Sequence, residues 1–349
     1  MCTKVAIAAL SVKELAEQFS LTPPFRAKQV YGWIAKGVTS FEQMTNLDKA
    51  SRQKLEEMAV LRSSRVSKEL RDEDGTLKLQ ITLCDGLAIE TVLLTDQDNR
   101  KTACVSCQAG CAMHCAFCQT GTLGLARNLT ASEIVEEFLF LEERAGKLDN
   151  IVFMGMGEPM QNLEAIRKAL SVLTDPEGRA LSSRRITIST CGITKGIYDL
   201  ADNGPQVRLA VSLTTANENL RKSLMPVTNG NSLGELKKAI AYFSQKTQKR
   251  VTLEAALMAG VNTDDAFAQE LIDFASGLDV HVNLIPWNPV GSLPFKTPSR
   301  NESMHFMHLI QKAGIPVTLR LKRGTNVNAA CGQLGATGMS LGDTSTYKN

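Results

Sequence analysis

Between residues 12 and 60 the apolar positions recur at helical spacing: Leu15, Ala16 and Phe19 share one face. A stop at Pro23-Pro24 separates them from a second periodic run, Phe25 to Ile34. The stretch predicts a small helical domain, residues 1–60. From residue 62 to residue 94 the rhythm changes to that of strands, broken by turn signals at Glu73-Asp74-Gly75 and Cys84-Asp85-Gly86. Residues 61–95 therefore read as a β-hairpin layer that links the helical domain to the rest.

Beyond Thr102 short apolar runs alternate with helix-length amphipathic segments. Strands are expected at 103–106, 151–155, 185–190, 207–213, 251–257, 282–286 and 317–321. The helix expected over 131–144 carries its own start and stop: Thr130 and Glu133 form a capping box, and Gly146 ends it. Repeated β-α units imply an α/β fold with a parallel sheet, closed or partly closed into a barrel, over residues 96–336. A flexible tail, 337–349, follows. In such barrels chemistry sits at the C-terminal ends of the strands. Polar and glycine-rich stretches do fall there: Cys111 to Cys118, Gly155-Met156-Gly157-Glu158-Pro159, Ser189-Thr190-Cys191-Gly192, Ser212-Leu213-Thr214 and Pro286-Trp287-Asn288-Pro289.

A length of 349 residues is enough for about two domains. With 43% hydrophobic and 21% charged residues the chain has an ordinary globular composition. No apolar run reaches the ~18 residues a membrane span needs, and the N-terminus lacks the basic region and cleavage site of a secretion signal. The expected location is the cytoplasm. A net charge of +3 permits a nucleic-acid partner without requiring one. At 5% aromatic residues, base-stacking platforms have little material.

The nine cysteines change the picture more, because five of them fall between Cys104 and Cys118. In a reducing compartment such a cluster points to metal or redox chemistry rather than to a disulfide framework. Cys111, Cys115 and Cys118 are spaced Cys-x3-Cys-x2-Cys, which lets a tight loop wrap three thiolates around an iron–sulfur cluster. Three ligands leave one iron open, an exchangeable position where a small molecule can bind and react. A zinc site built from Cys104-x2-Cys107 and Cys115-x2-Cys118 would have only seven residues between its halves. Such halves are ordinarily about 12–20 apart. His114 reads as a solvent-facing loop residue.

Cys111-Ala112-Met113-His114-Cys115-Ala116-Phe117-Cys118 with Gly155-Met156-Gly157-Glu158-Pro159 resembles the radical S-adenosylmethionine (radical SAM) superfamily. Further runs narrow the likeness: Phe25-Arg26-Ala27-Lys28-Gln29, Cys104-Val105-Ser106, Arg127-Asn128-Leu129-Thr130, Leu284-Ile285-Pro286-Trp287-Asn288 and Ala329-Ala330-Cys331-Gly332-Gln333-Leu334. With these, the chain from about Phe25 to Leu334 resembles the RlmN/Cfr family of RNA adenine methyltransferases. The resemblance implies a partial (β/α)6-type radical SAM barrel. It also implies a [4Fe-4S] cluster on Cys111, Cys115 and Cys118, with S-adenosylmethionine contacts at Gly157, Glu158, Ser189, Ser212, Leu213, Thr214 and Asn288. Cys331 and Cys104 correspond to the catalytic cysteines, which pass through a mutual disulfide, and Glu90 to an acid–base residue. Three departures stand out. Thr214 replaces a usual His, Cys107 replaces a small hydroxyl residue, and one extra residue lies between Glu90 and Cys104.

The implied reaction has a physical reason. Adenine C2 and C8 are electron-poor carbons with no lone pair to attack a sulfonium methyl, so a radical route is needed. The resemblance implies that Cys331 first takes a methyl group, that a 5′-deoxyadenosyl radical removes hydrogen from it, and that the resulting methylene radical adds to the base. Attack of Cys104 on the Cys331 sulfur then frees the product. The implied substrate is an adenine of 23S ribosomal RNA, with transfer RNA as a second one; methylation at C2 is expected, and a Cfr-like C8 enzyme conferring antibiotic resistance is the alternative. A target base must leave its stack to reach a buried site. Phosphate contacts are expected from the helical domain, where Arg26, Lys28, Arg52 and Lys54 otherwise read as a solvated basic face. Further contacts are expected from Arg62, Arg65, Lys68, Arg71, Arg320, Lys322 and Arg323. A flavodoxin-type electron donor and a monomer complete the expectation. Two readings from other classes are a radical enzyme acting on a small molecule and a zinc-containing RNA-binding protein without catalysis.

Overall fold

The computed structural model describes residues 4–291, 293–320 and 322–335; the tail expected at 337–349 and Leu321 of the last expected strand lie outside them. Near the N-terminus, helix α1 (Val12–Phe19) starts at a reciprocal Ser11–Glu14 capping box. Helices α2 (Phe25–Ala35) and α3 (Lys49–Met58) follow, the last capped by Asp48. Their apolar faces bury Leu15, Phe19, Val30, Ile34 and Leu55 in a core of their own, which Val172 enters from the larger domain. A short parallel pair, β1 (Val5–Ala6) with β2 (Ala59–Val60), joins the two ends of this domain. Tyr31 Oη donates to Asp175 at 2.9 Å and Lys28 pairs with Glu177 at 3.1 Å, which docks it on the larger one. Of the basic residues proposed to meet phosphate here, Arg26, Lys28 and Arg52 have partners within the chain.

Strands β3 (Arg65–Arg71), β4 (Leu77–Thr82) and β5 (Ala88–Thr95) form the expected antiparallel layer. It is more than a linker. Strand β5 pairs with β6 (Lys101–Cys104), setting Val92 opposite Cys104, so the 95/96 boundary falls within a hairpin of one continuous sheet. Next comes a separate antiparallel pair, β7 (Gln108–Cys111) and β8 (Gly124–Asn128), joined through the short helix α4 (Gln119–Leu123). Strand-like alternation is weak in these glycine-containing stretches, so the sequence predicts no strand there.

The α/β part then runs through α5 (Ala131–Ala145), β9 (Asn150–Phe153), α6 (Leu163–Leu173), β10 (Ile186–Thr190), α7 (Thr194–Asn203) and β11 (Arg208–Ser212). It continues with α8 (Glu218–Leu224), α9 (Leu233–Thr247), β12 (Val251–Leu257), α10 (Asp265–Ala275), β13 (Val280–Pro286), α11 (Arg300–Lys312) and β14 (Val317–Leu319). Strands β6, β9, β10, β11, β12, β13 and β14 are parallel neighbours in that order. Strands β14 and β3 lie at opposite edges of the sheet, so the barrel is open.

Alternation places chemistry on one face of this sheet. Ile151, Ile188, Leu209, Val211, Leu253 and Leu284 belong to the main hydrophobic core. Residues of opposite parity, among them Thr187, Ser189, Ala210, Ser212, Thr252 and Glu254, line cavities. The buried Glu136 of α5 accepts bonds from the backbone N–H groups of Ser63 at 2.8 Å and Ser64 at 2.9 Å, which ties the entry to β3 against the barrel. Among the described residues no helix is long and apolar enough to cross a membrane.

Candidate active site

Cys111 ends β7, Cys115 and Cys118 follow in the loop after it, and all three border one cavity of about 180 Å³. The loop is held from several sides. Trp287 Nε1 donates to the Phe117 carbonyl at 2.9 Å, Ala116 N to the Leu224 carbonyl at 2.9 Å and Gln119 N to the Gly332 carbonyl at 2.8 Å. Met113 and Phe117 pack against an apolar group that includes Cys191, Met225 and Trp287. Gly110, at φ +78°, sits so close to β8 that a Cβ would lie 1.9 Å from the Gly124 oxygen, so the bend preceding Cys111 requires glycine.

Burial pushes the Cys111 thiol up to about 12, and it shifts Cys115 and Cys118 in the same direction. Thiols so placed become thiolates against the positive charge of a metal. Among the described residues no three His, Cys, Asp or Glu side chains converge on one ion. Three cysteines on one cavity wall offer the thiol set that an iron–sulfur cluster takes. The zinc arrangement fits less well, since Cys107 lies in the hydrophobic core and Cys104 borders a different cavity. The eight described cysteines are free, and His114 is exposed.

Gly157, Glu158, Ser189, Ser212, Thr214 and Asn288 line the same cavity as the three cysteines. Gly157 has φ +101°, and a Cβ there would lie 2.5 Å from Gln108. Glu158 accepts bonds from Thr190 Oγ1 at 2.6 Å, Cys191 N at 2.8 Å and Met160 N at 3.0 Å. Burial pushes its carboxyl up while the Cys191 and Thr190 bonds pull it back. Asn288 donates to the Cys331 carbonyl at 3.2 Å, and its buried Oδ1 has no partner in the protein. An acceptor left unpaired in a cavity wall is expensive unless a ligand satisfies it. This unpaired oxygen, the three thiols and the glycine-lined cradle fit a cluster with a polar cofactor beside it.

The structure places Leu213 elsewhere: its side chain is fully buried in the core, while its N–H and carbonyl bond Glu254 and Arg221. Thr214, with φ +60°, is in a conformation that β-branched residues rarely adopt. Its backbone N–H and carbonyl are engaged by Glu254 and Asn262, which leaves its side chain to face the cavity. Sequence reasoning missed Glu254, which accepts a bond from Ser189 Oγ at 3.1 Å. Its signal was the strand period, since Glu254 is the register partner of Ser212. Arg221, fully buried, was missed as well. It donates to the carbonyls of Cys191, Ser212 and Leu213 and so braces the ends of β10 and β11.

Cys331 also borders a second, smaller cavity, of about 30 Å³, together with Cys104, Arg320, Lys322 and Arg323. Burial pushes the Cys104 thiol up, and negative charge on Cys331 acts in the same direction while Arg320 opposes it. The second cavity shares Leu94, Val152, Met154, Arg320 and Arg323 with an open cleft of about 560 Å³ on the concave face of the sheet. Glu90 borders neither of the two cysteine cavities. It is buried, paired with Lys78 at 3.0 Å and accepting a bond from Gly335 N at 2.7 Å.

Another buried acid, Glu137, supports the backbone after Cys104 by accepting from Ser106 N at 2.9 Å, while its second oxygen has no partner. Burial pushes its carboxyl well above the usual range. The folded chain therefore keeps a proton that the unfolded chain gives up, and stability falls as pH rises above the ordinary carboxylate value. Glu137→Gln should remove that loss, which reaches at most about 1.4 kcal/mol per pH unit. Urea denaturation at pH 5 and pH 8 should show a smaller decline for the variant; equal declines would contradict the assignment.

Residues 105–272 match the Radical SAM superfamily, and residues 9–61 match the Ribosomal RNA large subunit methyltransferase N-terminal domain. A probable dual-specificity RNA methyltransferase RlmN from Treponema pallidum is 57% identical over 95% of this chain and 98% of its own length. Its counterpart from Treponema denticola is 59% identical over 96% of each chain. The crystal structure of a radical SAM methyltransferase from Sphaerobacter thermophilus superposes with a TM-score of 0.92 at 42% identity, covering 95% of this chain and 99% of that one.

Proposed function

The chain belongs to the RlmN family of radical SAM RNA methyltransferases, and we propose that it methylates C2 of an adenine in 23S ribosomal RNA, and of transfer RNA as well, by way of S-methylated Cys331. The observation that carries this reading is the position of Cys331 on the wall between two cavities, one bordered by the three loop cysteines and the other by Cys104. A carrier that accepts a methyl group on one side and delivers it on the other belongs at such a wall. The dual specificity in the names of the Treponema relatives supports two RNA substrates.

Cys111, Cys115 and Cys118 would hold the [4Fe-4S] cluster, with S-adenosylmethionine against Gly157, Glu158, Ser189, Ser212, Thr214 and Asn288; together these groups supply methyl groups, an electron and a hydrogen-abstracting radical. Glu158 would accept a hydrogen bond from an amino group beside those it takes from Cys191 N, Thr190 and Met160 N, and Asn288 would offer its unpaired Oδ1 to a donor. Cys331 takes the methyl group as a thiolate nucleophile and presents it to the base. Cys104 as thiolate attacks the Cys331 sulfur: the S–S bond forms as the bond from that sulfur to the transferred carbon breaks, and the carbon keeps the electron pair and takes a proton to become the methyl group of the released base. The open cleft, bordered by Arg100, Arg320 and Arg323, gives the extruded nucleotide a route with cations for its phosphates. A flavodoxin-type donor and a monomeric enzyme belong to the same proposal.

The test is to incubate the anaerobically reconstituted chain with methyl-labelled S-adenosylmethionine and unmodified ribosomal and transfer RNA. The RNA is then digested to nucleosides. Label is expected in 2-methyladenosine; label in 8-methyladenosine, or none in RNA, would overturn the reading.

A further inference from the structure

The Lys78–Glu90 pair is nearly enclosed, its side chains being 8% and 5% exposed. Burying two charges is costly unless each finds several well-placed partners, and the additional partners here all belong to one segment. Lys78 Nζ, 3.0 Å from Glu90 Oε1, also donates to the Asn328 carbonyl at 3.0 Å. Glu90 Oε2 accepts from Gly335 N at 2.7 Å. Asn328 and Gly335 lie on either side of Cys331 in the chain. The two charged residues are diagonal neighbours on adjacent strands, since Gln80 is opposite Glu90 and Lys78 opposite Val92. The turn before β4 adds further bonds to the same segment: Gly324 N donates to Asp74 at 2.8 Å, and Asn326 N and Nδ2 donate to Asp72 at 3.1 and 2.8 Å.

We infer that Lys78 is a positioning residue for Cys331: with Glu90 it forms a latch that fixes the loop on both sides of the cysteine and holds its sulfur at the wall between the two cavities. The antiparallel strands beside the barrel are then a platform for the catalytic loop. Lys78 touches neither cysteine cavity and acts only through the loop. The inference rests on the proposed role of Cys331, and its test separates the two.

Hydrogen exchange of the cluster-free chain should show amides of residues 326–335 exchanging at least about tenfold faster in Lys78→Met, with amides of β10 to β12 unchanged. Alkylation of Cys331, measured against the exposed Cys84, should accelerate in parallel. If the single variant does not fold, the double variant Lys78→Met with Glu90→Gln removes both charges and is expected to behave the same way. In the reconstituted enzyme carrying Lys78→Met alone, kcat should fall about 10²-fold, the cost of displacing a reacting atom by roughly 1 Å, with KM for RNA unchanged. Unchanged loop exchange would overturn the latch, and so would acceleration spread evenly over the barrel. A wild-type chain that never methylates Cys331 would overturn the role of that cysteine, while the exchange result would still decide the latch.

Discussion

Cys331→Ala should reduce RNA methylation to background while leaving the iron content of anaerobically reconstituted protein unchanged. Cys331 borders the cavity of the three loop cysteines without belonging to their loop, so an alanine there removes no bond that holds the loop. The main-chain partners survive the change, since Asn288 bonds the Cys331 carbonyl and Gln119 bonds the Gly332 carbonyl. What disappears is the sulfur proposed to carry the methyl group, and among the described residues no other thiol borders both cavities. Loss of a sole covalent nucleophile typically costs at least about 10⁴-fold in rate. Transfer of labelled methyl to RNA, measured beside iron and sulfide content, checks this. Methylation within a few-fold of wild type would remove Cys331 from the mechanism.

Cys104→Ala should give the opposite phenotype: methyl transfer begins but stops with RNA covalently attached to Cys331. Cys104 and Cys331 border the same small cavity, and negative charge on Cys331 pushes the Cys104 thiol up. Resolution requires a thiol that attacks sulfur, and alanine supplies none. Denaturing gels of reactions with labelled RNA should show a protein–RNA adduct in at least stoichiometric excess over free methylated product. Normal multiple turnover would sink the resolving role. In the unaltered chain, burial holds the Cys104 thiol above its usual value, so the attacking thiolate becomes more abundant as pH rises. Single-turnover release should therefore accelerate by up to about tenfold per pH unit between pH 7 and 9, and a flat profile would mean that another step limits release.

Spacing made the three loop cysteines legible, because a thiolate set must be local in the chain if one loop is to present it. Strand positions were legible for a similar reason. The run 251–257 matches β12 residue for residue, and the helix expected over 131–144 ends one residue later in α5. The short pair β7 and β8 was not legible, since Gly110 and Gly124 dilute the alternation that marks a strand. The partners of Glu90 were not legible, because its neighbours in sequence say nothing about Gly335 or Lys78. Leu213 read as a contact because it lies between Ser212 and Thr214, yet alternation turns its side chain into the core.

The chain by itself determined the kinds of groups and the order of elements: three clustered thiols, repeated β-α units with polar strand ends, and a helical domain ahead of them. These follow from local spacing and period, which sequence carries directly. Only the tertiary structure decided that Cys331 borders both cavities, that Cys104 shares the smaller one with it from β6, and that Lys78 and Glu90 bond the loop on either side of it. Each of those contacts joins residues more than two hundred positions apart, and at that separation partners are chosen by packing of the whole sheet rather than by any local preference of the chain.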